Sequence, residues 1–505
     1  MRIPACTILL AASELLAQVA APPPLMRLYP LALDASGQPV TDLAAAEFKI
    51  VDQNKAQSIF AYRKPPIEAV SHDVPGAFSN RPAGAMPHST AILFDMIDMN
   101  QPDRLSAWKD LDKSLPQLRS GESLYFYLLN LEGILIPIHA IGPSSSGDKM
   151  WPQRAAGEFD KAMKAASHSR PVQLGAEDQV KKTYKTLEDL AGQLAALPGR
   201  RDIVWITGGV PRVWDPKNHK CHTLDFVVPP AAQIADTYGN MPANVPVDRA
   251  IESGQATGGD WVDCGLYVPH LAVTLEKAGT AVNPVSHSRD LNPDASRDLE
   301  QMALLTGGHS YLREDIPTVL KKVAKNACTY SIAYDPSAEN WDNKFHQIHI
   351  ACLRPGVKLQ VRERYFALAD TRPAADRQKA ALVAAFQNPS DIADIGLQAK
   401  ITPANHGSHI EIRIQPSDIL LRERNGQFEG AVYFLVADLG AAGPIGEPSV
   451  ETLNLNLTAT QRETVMKEGI PVSHDHVFNS SVQRVRLIVL DRNTNAVGSL
   501  TVPAS

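Results

Sequence analysis

Two nearly continuous apolar runs constrain this chain more than anything else in it. STAILFDMID (Ser89 to Asp98) and RDIVWITGG (Arg201 to Gly209) lack the polar-apolar alternation of a half-exposed strand. A run of that kind suits a strand covered on both faces, as in a parallel sheet. Helical stripes stand between such runs. Leu105, Trp108, Leu111, Leu115 and Leu118 recur at spacings of three and four, as do Tyr184, Leu187, Leu190, Leu194 and Leu197, the latter ending at Pro198-Gly199. SLYFYLLN, ILIPIHAIG, TAVNPVSH and HSYL add strands; HLAVTLEKAG, DASRDLEQMALLTGG and IPTVLKKVAKNA add helices. Strands joined by helices predict an α/β fold over 89–368, a doubly wound, mainly parallel Rossmann-like sheet with helices on both faces.

Other segments carry strand patterns. Residues 25–64 read as an N-terminal β module, with Phe48 and Ile50, then Ile59 and Ala61, alternating around a turn at Asp52 to Lys55. A Pro/Gly/Ser-rich linker follows at 65–88, and a linker helix lies within 369–400, over Ala374 to Phe386. From 401 to 505 no helical period is visible. Ile410, Ile412 and Ile414 alternate with His409, Glu411 and Arg413, and the segment reads as a C-terminal β-sandwich.

Residues 1–21 have the layout of a secretory signal peptide: Arg2, an apolar stretch from Ile8 to Leu16, then small residues. Glu14 interrupts the stretch, and a misassigned start is the competing reading. An exported, extracytoplasmic protein without a membrane span is expected. The net charge of −6 leaves no excess of cations for a nucleic-acid partner.

Beyond Cys6, the cysteines are Cys221, Cys264, Cys328 and Cys352, an even number for an oxidising compartment. If CTYSIAYD and FHQIHIAC form a hairpin across SAENWDNK, Cys328 faces Cys352 within disulfide range, leaving Cys221 for Cys264. His219, His222 and Asp263 lie near the second pair, but the spacing fits no zinc pattern. His346 and His349 differ in parity and face opposite sides of a strand.

In an open parallel sheet, ligands bind beyond the carboxyl ends of the strands. Three loops end there: Asp95 to Asp103, Thr207 to Arg212, and Ser286 to Asn292. A polar insertion, 213–267, grows from the same rim. It is either functional or a bland surface loop.

At these residues the chain resembles the von Willebrand factor type A (VWFA) domain, and more narrowly the VWFA-related proteins common in Acidobacteria. The phrases that carry the resemblance are SGQPVTDLAAAEFKIVDQNKAQSIFAY, AILFDMID, LPGRRDIVWITGGVP, LLTGGHSYL, TYSIAYDP, KFHQIHI and VRERYFA, with GIPVSHDHVFNSSVQRVRLIVLDRNTNAVGSLTVPAS at the end. The resemblance implies a divalent ion held by an Asp-x-Ser-x-Ser loop, a Thr and a later Asp, with hard oxygen ligands suited to Mg²⁺ or Ca²⁺. Asp95 matches the first ligand, but Ile97 and Met99 stand at the serine positions, Gly208 replaces the later Asp, and no second-loop Thr is evident. The site reads as degenerate. Asp95 and Asp98 are the candidate metal ligands, and Asp98, Asn100 and Asp103 form either an irregular Ca²⁺ site or, as the better reading, a helix cap.

No G-x-S-x-G, H-E-x-x-H or phosphate-cradling glycine loop occurs, so neither an enzyme nor a cofactor is expected. The resemblance implies adhesion or another protein–protein contact with an unknown partner. Asn100, Asp103, Thr207, Gly208 and Gly209 would form the binding loops. A structural or chaperone-like envelope component is the alternative, and a hydrolase with an unrecognised site is the third.

Overall fold

The two apolar runs become neighbouring strands whose side chains alternate between two separate cores. The computed structural model describes residues 26–65, 76–81, 88–115, 123–141, 150–168, 176–195, 197, 200–209, 214–215, 220–222, 261–263, 267–286, 288, 291, 293–336, 341–342, 344–367, 372–388, 391–404, 407–441, 443–478 and 481–504. These fall into two compact units: Leu25–Ala69 with Gly84–Arg372, and Val70–Ala83 with Pro373–Ser505. The signal-peptide segment, Cys264 and most of the insertion lie outside the described residues.

In the first unit, β1 (His88–Asp95), β2 (Ser123–Leu129), β3 (Leu135–His139), β4 (Arg200–Ile206), β5 (Thr280–Ser286) and β6 (Tyr311–Leu312) form one sheet in the order β6-β5-β4-β1-β2-β3. Its pairs are parallel except β2 with β3. Because successive side chains of a strand point to opposite faces, Ala91 and Leu93 join one core and Ile92 and Phe94 the other. The first core is closed by helices α3 (Ala176–Leu194), α4 (Tyr267–Lys277) and α5 (Pro293–Thr306), the second by α1 (Gln101–Ser114), α2 (Trp151–His168) and α6 (Ile316–Ala324). Full burial of each Leu or Phe here contributes about 1.5–3 kcal/mol.

The expected class, a doubly wound parallel α/β fold, is nevertheless corrected. The described chain is mostly β, and six of its seven sheets are wholly antiparallel. Parallel pairing is confined to one sheet.

The strands near the start of the chain pair with strands far along it. Ser331–Tyr334 lies between Met26–Leu28 and Ile59–Arg63, and Phe345–Cys352 pairs with both Phe48–Asp52 and Arg364–Phe366. This overturns the expected hairpin and its disulfide. Ser331–Tyr334 and Phe345–Cys352 lie in different sheets, Cys328 ends a 3₁₀ turn at Lys325–Cys328, Cys352 sits opposite Phe48, and both thiols are free. Paired this way, each of the two strands meets two partner strands, where a hairpin between them would supply one apiece. Cys221 lies in a short strand, Lys220–His222, opposite Val262. His346 is buried and His349 exposed, as opposite faces require.

In the second unit, Leu397–Ala404, Gly407–Ile414, Ile470–His476 and Phe78–Ser79 form one sheet, and Arg422–Arg424, Gln427–Gly440, Gly443–Leu457, Arg484–Asp491 and Val497–Pro503 the other. Ile410, Ile412 and Ile414 pack onto Phe434, Val436, Leu487 and Val489 between them. The helix Ala374–Gln387 sets Leu382 and Ala385 against Leu435, Ala437, Ile488 and Leu490 on the outer face of the second sheet. A further helix, Ala459–Glu468, appears where no helical period is visible. It buries no residue and so leaves no hydrophobic stripe to read; its signal is the capping box of Thr458 and Gln461.

Candidate functional site

At the carboxyl end of β1, beside that of β4, stands an acidic pair, Asp95 buried and Asp98 half-buried. Asp95, the last residue of β1, is fully buried. Its Oδ1 accepts the backbone N–H of Ile97 at 3.0 Å and of Asp98 at 3.4 Å; its Oδ2 accepts Trp205 Nε1 at 3.0 Å and Thr207 Oγ1 at 3.3 Å. Asp98 accepts the Thr183 hydroxyl on Oδ2 at 2.8 Å, while its buried Oδ1 has no N–H or O–H donor of its own.

Burial raises both carboxyls above their ordinary range. For Asp98 the rise is larger, because the Asp95 charge beside it adds to the burial, and the hydrogen bond between the two carboxyls places the proton on Asp98. Asp98 therefore holds its proton to higher pH than an ordinary aspartate, beside a carboxylate that is already held by four protein donors.

That donor set does not suit a hard dication. Asp95 spends its lone pairs on protein donors, and Ile97 and Met99 are buried side chains without oxygen. At Gly208, an added Cβ would come within 2.1 Å of the Asp98 carbonyl oxygen, so no acidic side chain fits there without moving backbone. The glycine is a packing requirement of the two loops lying against each other. Among the described residues no group of three or more His, Cys, Asp or Glu is placed to hold a metal.

The remaining candidates divide. Asn100 caps α1: its side chain accepts the Asp103 N–H at 2.8 Å and donates to the Asp103 carboxylate at 2.9 Å. Asn100 is exposed and Asp103 half-buried, so both reach the rim. Thr207 does not, being buried with its hydroxyl turned to Asp95 and accepting the Gly209 N–H at 3.1 Å. Gly209 holds φ at +89°, where a Cβ would strike Ala295 and Leu291. Thr183 and Trp205 were missed as site residues. Thr183 stands four residues before Leu187 and so shares its stripe on α3, which was the available signal.

No protein-family model and no curated protein matches this chain. Among solved structures, three N-terminal domains of the type V pili tip protein Mfa5 from Porphyromonas gingivalis align over 96% of this chain and 78% of that one, at 10% identity and a TM-score of 0.26. That likeness is too low to bear on fold or function. Among the described residues no helix is long and apolar enough to cross a membrane.

Proposed function

We propose that this is an exported, non-enzymatic protein that binds a protein partner, in adhesion or at the cell envelope, through the loops at the carboxyl rim of the β6-β5-β4-β1-β2-β3 sheet. The observation that carries the reading is the state of Asp95 and Asp98. The most chemically loaded position on that rim is closed into internal hydrogen bonds. The pair positions loops, and contact is left to neighbours such as Asn100 and Asp103. The resemblance to type A domains supports the same rim, with contact made directly and without a bridging Mg²⁺ or Ca²⁺.

The test is a pull-down from an envelope extract with the full chain, an Asp103→Arg variant and a variant lacking 213–267. Capture of a specific protein by the full chain, lost in both variants while circular dichroism is unchanged, is the expected result. Capture that survives both changes removes the rim as the contact surface, and turnover in a broad hydrolase screen removes the non-enzymatic assignment.

A second reading, a structural or chaperone-like envelope component, is favoured by one observation. The strand Gly443–Leu457 pairs only with Gln427–Gly440 among the described residues, which leaves its other edge open to strand addition. Capture that depends on this edge and not on the rim would move the assignment there.

A further inference from the structure

At the opposite, amino-terminal rim of the same sheet lies a cleft of about 520 Å³, within the size range of small-molecule sites. Its lining is of two kinds. Leu31 and Leu33 and, on the strand paired with theirs and just beyond it, Leu359 and Val361 supply apolar surface. Arg200, Lys322, Lys325 and Arg362 supply cations. These four cations outnumber the carboxylates beside them, Asp202, Glu314 and Glu363, in a chain whose net charge is −6.

The cationic lining is built rather than incidental. Arg200 is buried and held by Asp202, with Nε donating to Oδ2 at 2.9 Å and Nη2 to Oδ1 at 3.1 Å; Nη2 also donates to the Gly307 carbonyl at 2.9 Å. Asp202 is itself fixed by His88 at 2.7 Å, Asn283 at 2.8 Å and Asn326 at 3.2 Å. Burial alone would raise the Asp202 carboxyl, but the Arg200 guanidinium and then His88 outweigh it and keep it ionised. Arg362, also buried, donates to the Arg27 carbonyl at 2.8 Å. Lys325 is exposed, lines the cleft and donates to the Gly37 carbonyl at 3.0 Å. Lys322 is paired with Glu314 and lies 5.6 Å over the Tyr311 ring.

We propose that this cleft is a binding site for a small organic anion with an apolar body and a carboxylate or phosphate head. The body would lie against the leucine side and the head against the exposed Lys325, with Lys322 lining the same cleft. A purely inorganic anion would leave the apolar lining unused, and a neutral apolar molecule would leave the cations unmatched, so both halves are needed for affinity.

Calorimetry with the full-length protein tests this with four probes: phenyl phosphate, phenylacetate, inorganic phosphate and 2-phenylethanol. Phenyl phosphate and phenylacetate are expected to bind about tenfold or more tightly than the other two, a difference that both kinds of lining must supply. Lys322→Gln/Lys325→Gln replaces two exposed side chains and should leave the fold intact by circular dichroism; it is expected to weaken phenyl phosphate about tenfold, and Lys325→Glu further. Equal affinity for inorganic phosphate and phenyl phosphate overturns the proposal, as does binding that is the same in the wild type and the lysine variants. No heat with either aromatic anion at millimolar concentration overturns it as well.

Discussion

Asp98 keeps a proton in the folded protein that the unfolded chain releases near the ordinary carboxylate value of about 4. Where the native state binds more protons than the unfolded state, unfolding free energy falls as pH rises. The contribution of this pair is therefore full below about pH 4 and is lost as pH climbs toward the raised value of Asp98. Asp98→Asn keeps an acceptor for Thr183 and offers an N–H to Asp95 without a titrating proton. Its urea midpoint is expected to be at or above wild type at pH 7, with a flatter pH dependence between 4 and 7; a steeper one would contradict the raised Asp98 carboxyl. Gly208→Ala acts on the same loops by shape alone. A Cβ placed 2.1 Å from the Asp98 carbonyl must shift backbone, and a loss of about 3 kcal/mol is expected in denaturant unfolding. Neither role was legible from the residues in isolation. Asp95 was readable as the end of an apolar strand, but that its oxygens would be spent on Trp205 and Thr207 depends on β1 and β4 lying side by side.

The short strand Phe78–Ser79 shows how an element can be hidden in a linker. It pairs with Leu397–Ala404, and Asn80 next to it donates to the carbonyls of Ile392 and Ile395 at 2.8 Å and accepts the Leu397 N–H at 2.8 Å. Arg81 follows, buried, with an ion pair to Asp418 at 2.9 Å. Two residues of strand have no period to detect, and Asn and Arg in a Pro/Gly/Ser-rich stretch read as solvent-facing. Asn80→Ala would leave the Ile395 carbonyl and the Leu397 N–H without the side chain that pairs them, the Ile392 carbonyl keeping the Ser499 N–H, and is expected to lower the stability of the second unit by about 2–3 kcal/mol, measured by hydrogen exchange in Leu397–Ala404. The helix Ala459–Glu468 was missed for the converse reason. It is helical by its cap and propensity, with nothing buried to print a stripe.

At the scale of the molecule, the strand pairings decide what can fold alone. A fragment spanning 89–368 keeps the six-stranded sheet but strips Ser331–Tyr334 and Phe345–Cys352 of their partners at Met26–Leu28, Phe48–Asp52 and Ile59–Arg63. That fragment is expected to aggregate or give a poorly dispersed amide spectrum, whereas 25–372 is expected to give a dispersed one; a well-folded 89–368 would show the early strands to be dispensable. Local pattern alone was enough to identify the buried strands and amphipathic helices around Asp95 and the alternating strands near Ile410, because burial imposes a period on whichever residues face a core. The partners of each strand, the free thiols at Cys328 and Cys352, the antiparallel character of most of the sheets and the cationic cleft beside Arg200 were settled only in three dimensions. The decisive pairings, such as Met26–Leu28 with Ser331–Tyr334 and Phe48–Asp52 with Phe345–Cys352, and the clustering of Arg200 with Lys322 and Lys325 join residues more than a hundred positions apart, and the period of a single segment carries no information about its neighbour.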